Sequence, residues 1–428
     1  MKIAGHLMLP DDGECVRLAP GWLRVEGGRI AEVIEGDIPS NVDLGGEGHV
    51  VCPGFVDAHL HLPQFGVIGA HGLGLLDWLE QVTFPAEQRW ADPAAARSDT
   101  ESAIRRMLRC GTTGFAGYAT VHAEGARAAL ETADRMGVRA HIGQVLMDRG
   151  APADLCRPSE QLIEETTALL EQFPLSPAGG RVSAAVTPRF APTCSEGMLA
   201  AAGELSQKHS AFVQTHLAET RAECELVETL FGGRRYTEIY RDTGLLHPTT
   251  LLGHGIYLNA ADRLMIAQHG SSIAHCPTAN SFLMSGRMDW NQAKAHPMVL
   301  GSDIGGGYEV SMVRVARAML ETAGGLLIDD PSRDAGTVPT AAHAWWQITH
   351  GNARTLRWTD TGVLQTGCAA DLVLVRPDDD VMRTLFSDKP THNTPHGPRH
   401  PDPLAGVMFG WDDRWIERVL LAGNTMWP

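Results

Sequence analysis

From about residue 51 the chain repeats one pattern: a short apolar run, a polar break, then a stretch with apolar residues three and four apart. The runs suit buried strands and the spaced stretches suit amphipathic helices. Eight strands are predicted, at 54–61, 113–120, 139–147, 181–187, 211–216, 250–254, 272–275 and 298–303. Helices are predicted between most of them, at 123–136, 159–173, 195–209, 220–230 and 260–269. The link over 62–98 is long enough to carry structure of its own above the strand ends. Eight alternating strand–helix units favour an α/β fold of the (β/α)8 TIM-barrel kind over an open doubly wound sheet.

The ends of the chain read differently. Trp22-Leu23-Arg24-Val25-Glu26, Gly27-Gly28 and Arg29-Ile30-Ala31-Glu32-Val33-Ile34 make a hairpin signal, with alternating apolar residues around a two-glycine turn. Strand-like text returns at Gly362-Val363-Leu364 and at Asp371-Leu372-Val373-Leu374-Val375, and 416–421 is expected to end the chain as a strand. The stretch 388–403, rich in Pro, His, Asp and Asn, is expected to loop. Residues 1–52 and 356–428 are therefore expected to pair as a small β-sandwich domain beside a barrel over 53–355.

Composition narrows the classes of function. A chain of 428 residues with 43% hydrophobic content can bury a large core. Its formal charge of −16 repels polyanions and argues against nucleic acid or an anionic membrane as partner. No apolar stretch approaches spanning length, and the first residues do not resemble a secretory signal. The eight cysteines are scattered singly, as expected of reduced thiols in a cytoplasmic protein.

In a barrel of this kind the site lies where the strands end. The predicted strand ends supply His59 and His61, then Arg189 and Phe190, then His216, His254 and Asp303. Two positions apart on a strand, His59 and His61 leave the same face and can grip one ion. Each residue also has a plain reading. A lone strand-end histidine is more often a hydrogen-bonded structural residue, and Asp303 before Gly305-Gly306-Gly307 could shape a turn. His275 and Cys276, at another strand end, are assigned to packing or support. It is the concurrence of His59, His61, His216, His254 and Asp303 on one rim that favours a metal site.

Imidazoles with one carboxylate suit Zn2+, and Fe2+ accepts the same ligands. A bridged two-metal site often uses a lysine at the fourth strand's end. None of the four lysines lies at a predicted strand end, so one metal is expected. Such an ion lowers the pKa of bound water towards about 7. Asp303 could take the water's proton and His254 could orient the water. Glu219, three residues after His216, could donate a proton to a ring nitrogen or could only cap the helix beginning near Thr220.

Several segments carry a resemblance: His59-Leu60-His61-Leu62-Pro63-Gln64, Leu75-Leu76-Asp77-Trp78-Leu79, Thr83-Phe84-Pro85-Ala86-Glu87, Thr187-Pro188-Arg189-Phe190 with Cys194-Ser195-Glu196, and Ala274-His275-Cys276-Pro277-Thr278-Ala279-Asn280. With these the chain resembles the amidohydrolase superfamily in its deaminase branch, from the first strand nearly to the C-terminus. Gln64 together with Pro188-Arg189-Phe190 points within that branch to guanine. The resemblance implies Zn2+ held by His59, His61, His216 and Asp303. It also implies a purine pocket using Gln64, Arg189, Phe190, Glu219 and His216, with His254 beside the attacking water. It further implies hydrolytic deamination to xanthine, in a homodimer. Another aminated heterocycle, such as a modified guanine, a pterin or a triazine, is the nearest alternative. A non-catalytic protein keeping the barrel is a remote one.

Overall fold

The N-terminal hairpin forms where the two glycines allow it. In a computed structural model, β2 (Cys15–Glu26) and β3 (Arg29–Glu35) follow β1 (Lys2–Asp11), and Glu26 pairs with Arg29 across Gly27 and Gly28. Both glycines have positive φ, 55° and 79°, the requirement of a two-residue turn matched to strand twist. The structure describes residues 1–175, 180–291, 296–333, 338–385, 392–394, 397–399 and 402–427.

After β4 (Leu44–Pro53) come the eight barrel strands: β5 (Phe55–His61), β6 (Thr112–Tyr118), β7 (Arg139–Leu146), β8 (Val182–Pro188), β9 (Phe212–Leu217), β10 (Thr250–His254), β11 (Ser272–His275) and β12 (Met298–Leu300). They lie in sequence order in one sheet. The Asp303 N–H donates to the His59 carbonyl (2.8 Å) and the His61 N–H to the Ile304 carbonyl (2.6 Å), joining the last segment to the first strand. Strands β5 to β12 are buried along their whole lengths, as expected of a parallel sheet covered on both faces. The last strand is shorter than the predicted 298–303: it ends at Leu300, and Asp303 beyond it has φ 50°, a left-handed conformation.

The remaining described strands are β13 (Leu372–Val375), β14 (His392–Thr394), β15 (Gly397–Arg399), β16 (Ile416–Leu421) and β17 (Asn424–Trp427). The N- and C-terminal strands form one mixed sheet, ordered β17-β16-β13-β4-β1-β2-β3, and β14 pairs with β15 in a separate two-stranded sheet. Gly362-Val363-Leu364 is not a strand; Val363 and Leu364 instead pack into the apolar core of this sheet with Ile3, Leu7, Leu23 and Leu374. Segment 416–421 is a strand but not the last, since β17 pairs back on it. The expected loop at 388–403 lies largely outside the described residues.

Two compact units share the chain. One takes Met1–Val56, Arg106–Thr113 and Ser311–Pro428, and the other takes Asp57–Arg105 and Gly114–Val310. Every predicted site residue falls in the second unit. Its link after β5 is a succession of short helical turns from Leu62 to Gln88. Trp78, Leu79 and Phe84 from this link join Tyr118, Phe190 and Leu283 in one apolar cluster. No described helix is long and apolar enough to cross a membrane.

Candidate metal centre and ring-binding cavity

His59 and His61 leave the same face of β5, His216 belongs to β9 and Asp303 follows β12. All four are buried, and one ligand atom from each lies within 4.8 Å of the others. The Nε2 atoms of His59 and His61 each stand 3.4 Å from Asp303 Oδ1, and the Nε2 atoms of His61 and His216 are 3.1 Å apart. Donors bound tetrahedrally at zinc-like bond lengths stand about 3.4 Å from one another.

The protonation states agree with ligation. Burial pushes His61 down to about 3 and lowers His59 and His216, so the three rings are neutral at neutral pH. His216 Nδ1 donates to the Arg189 carbonyl (2.8 Å), which leaves its Nε2 as a lone pair facing His61. Both ring nitrogens of His59 and Nδ1 of His61 are buried without a hydrogen-bond partner. Unpaired buried polar atoms cost roughly 1–3 kcal/mol each, and a shared cation would remove much of that cost. Burial works against ionisation of Asp303, but the close approach of the His59, His61 and His254 rings holds its carboxyl well below the usual range. Three neutral imidazoles and one carboxylate fit a single divalent ion.

Close approach explains two glycines. A Cβ on Gly301 would come 2.5 Å from the His59 Cβ, and one on Gly253 would come 2.9 Å from His59 Cε1. Neither strand can carry a side chain there while His59 keeps its place. Gly253→Ala should push the His59 ring aside and weaken metal binding roughly 10–100-fold, as loss of a supporting contact does. Competition against a chromogenic chelator measures this, and unchanged affinity would contradict the packing argument.

Beside the ligands sit two further titratable groups. His254 Nε2 lies 3.4 Å from Glu219 Oε2 and 3.8 Å from Asp303 Oδ2, while its Nδ1 donates to Asn280 Oδ1 at 2.8 Å. Burial disfavours charge on His254, but the Glu219 and Asp303 carboxylates outweigh it and its pKa rises. Glu219 is also raised, chiefly by burial, so its carboxyl holds a proton more readily than an exposed glutamate. The Ser285 hydroxyl donates to Glu219 Oε1 at 2.6 Å. His254, Asp303 and Ala218 all have φ between 48° and 68°, strained for residues other than glycine and clustered at this rim.

The helix-cap reading of Glu219 finds no support. The helix Arg221–Leu230 is capped by the Thr220 side chain, and Glu223 completes the capping box. Glu223 Oε2 accepts from the Glu219 and Thr220 N–H groups (2.9 and 3.2 Å). Burial pushes the Glu223 carboxyl up to about 7. A folded-state pKa above the ordinary 4.5 stabilises the fold below that value, and the contribution is lost as pH climbs through about 7. Glu223→Gln, whose amide oxygen can accept the same bonds, should therefore gain stability relative to the parent at pH 8 over pH 5, by up to roughly 3 kcal/mol. Urea unfolding at both pH values tests this; a difference independent of pH would refute it.

The same rim opens into a cavity lined by His61, Gln64, Leu75, Trp78, Leu79, Arg189, Phe190, His216, Glu219, His254, Leu283, Asp303 and Gly306. Polar donors and a buried carboxyl thus share one space with the ligand cluster, and apolar side chains form the remaining wall. Arg189 Nη1 donates to both oxygens of buried Glu87 (2.6 and 2.8 Å), and Gln64 Nε2 donates to Oε1 (3.1 Å). His71 packs edge-on against Phe282 and is not in the cavity lining. His275 is buried and pushed down to about 3, consistent with a packing role. Sequence reasoning assigned no role to Asn280, Ser285 or Glu87. Asn280 and Glu87 lay inside the quoted motifs, but no spacing rule marks them as partners of His254 and Arg189.

Residues 50–426 match the model of the Amidohydrolase family. The chain belongs to the amidohydrolase family. Among amidohydrolases it is 34% identical to a guanine deaminase of Dictyostelium discoideum over 90% of this chain and 84% of that one. It is 32% identical to the guanine deaminase of Escherichia coli K12 over 89% and 83% of the two chains. The crystal structure of a guanine deaminase from C. acetobutylicum with guanine in its active site superposes with a TM-score of 0.88 at 25% identity, covering 100% of this chain and 99% of the other. The amidohydrolase barrel and its buried three-histidine, one-aspartate cluster are therefore found together in this chain.

Proposed function

We propose that this amidohydrolase catalyses the hydrolytic deamination of guanine, converting guanine and water to xanthine and ammonia, with Zn2+ as its one metal ion. The observation that carries the reading is the shared cavity, in which Gln64, Arg189, Phe190 and Glu219 face the same space as His61, His216 and Asp303. Full-length similarity to guanine deaminases supports it. When bound, the ion supplies a water activated for attack at neutral pH.

The chain's own residues do the rest. His59, His61, His216 and Asp303 hold the ion. Phe190 packs against the flat face of the purine, while Arg189 and Gln64 donate to its carbonyl oxygen. His216 borders the ring as well as serving as a ligand. Glu219 donates its proton to the ring nitrogen beside the carbon that bears the amine, so that carbon accepts the attacking oxygen. His254, held through Asn280, fixes the line of attack. Asp303 takes the water's proton and passes it towards the departing ammonia.

With metal-loaded protein, kcat/KM for guanine should exceed that for aminated triazines without a ring carbonyl by at least about 100-fold, because donors left facing no carbonyl cost binding energy in the transition state. A pterin or triazine preferred over guanine would replace the substrate while leaving the reaction type intact.

A further inference from the structure

Glu87 is fully buried at the end of the short helix Phe84–Gln88, and it lies outside the lining of the cavity. Its carboxylate is nevertheless bound by two residues that do line it. Arg189 directs Nη1 at both oxygens, and Gln64 donates from Nε2 to Oε1. The Glu87 backbone is tied in turn, since the Thr120 hydroxyl donates to its carbonyl at 3.2 Å. Gln64 and Arg189 are themselves almost wholly buried, at 1% and 2% exposure. An arginine so buried needs a carboxylate partner, and Glu87 supplies one without occupying the cavity.

Donor accounting gives this triad a direction. The Gln64 amide oxygen accepts from the Gly305 N–H (3.1 Å) while its nitrogen faces Glu87. Turning the amide over would set oxygen against carboxylate and N–H against N–H, so this orientation is locked. The groups left to meet a ligand are then donors only: the second N–H of Gln64 and the rest of the Arg189 guanidinium. A corner that only donates accepts a ring carbonyl and opposes an amino group in the same place.

We propose that Glu87 is a positioning residue that locks Arg189 and Gln64 into an all-donor corner, and so selects ring systems carrying a carbonyl oxygen there. The inference rests on the guanine reading above, and it adds a residue that does not touch the substrate. Without the carboxylate, Arg189 loses its anchor and the Gln64 amide can reverse, presenting an acceptor to the substrate.

The test compares guanine with 2-aminopurine, which keeps the amine and the ring but lacks the carbonyl. In Glu87→Gln, kcat/KM for guanine should fall about 100-fold, mostly through KM, while that for 2-aminopurine changes less than about threefold. The guanine to 2-aminopurine ratio should thus drop at least about tenfold, with metal content unchanged. If Glu87→Gln does not fold, Glu87→Asp should show the same selective loss at smaller size. Equal losses on both substrates, or an unchanged ratio, would overturn the positioning role while leaving guanine deamination intact. Parent protein inert towards guanine would instead overturn the guanine reading, and this inference with it.

Discussion

Glu219→Gln should lower kcat for guanine by roughly 10²- to 10⁴-fold, the usual worth of a positioned general acid, with the metal still bound in full. Glu219 is not among the clustered ligand atoms, so removing its proton leaves the ion's surroundings alone. Its carboxyl is buried, accepts a bond from Ser285 and stands 3.4 Å from His254. Burial favours its protonated form, the form that can donate. Glutamine keeps the shape and the Ser285 bond but cannot give up a proton to a ring nitrogen. Steady-state kinetics with metal analysis on the same sample reads the effect. A variant with near-normal kcat would remove Glu219 from proton transfer.

His59→Ala should lose metal and turnover together, with activity falling to background. His59 is wholly buried, its Nε2 3.4 Å from Asp303 Oδ1 and its ring 4.9 Å from that of His216. Alanine leaves the ion with three protein ligands and opens a gap beside Gly253 and Gly301. Chelation of the parent should reach the same inactive state and lower its melting temperature, because an ion bound only to the folded form stabilises it by mass action. Zn2+ added back should restore the parent and not the variant. Full activity in a chelated, metal-free parent would refute the metal's role.

Much of this was legible in the sequence, for reasons that particular residues make plain. The barrel strands could be read because each is a short apolar run bounded by polar breaks, and β10 and β11 end where expected, at His254 and His275. The histidine pair could be read because strand geometry puts alternate residues on one face. The end of β12 at Leu300 could not, since the apolar run gives no local stop there, although the turn reading of Asp303 agrees with its left-handed φ. Val363 and Leu364 have strand-like character but serve the sheet as packing. Glu87 sits 102 residues from Arg189, and Ser285 sits 66 from Glu219, so only folding brings these partners together.

If one metal-holding rim and one donor-lined cavity act together on guanine, its deamination depends on the ion. The most direct measurement follows xanthine and ammonia from guanine incubated with the zinc-loaded protein, with and without a chelator. The two products should form in equal amounts, at a rate abolished by chelation and recovered with Zn2+. No xanthine from the fully metal-loaded protein, or xanthine formed at an undiminished rate after complete metal removal, would contradict it.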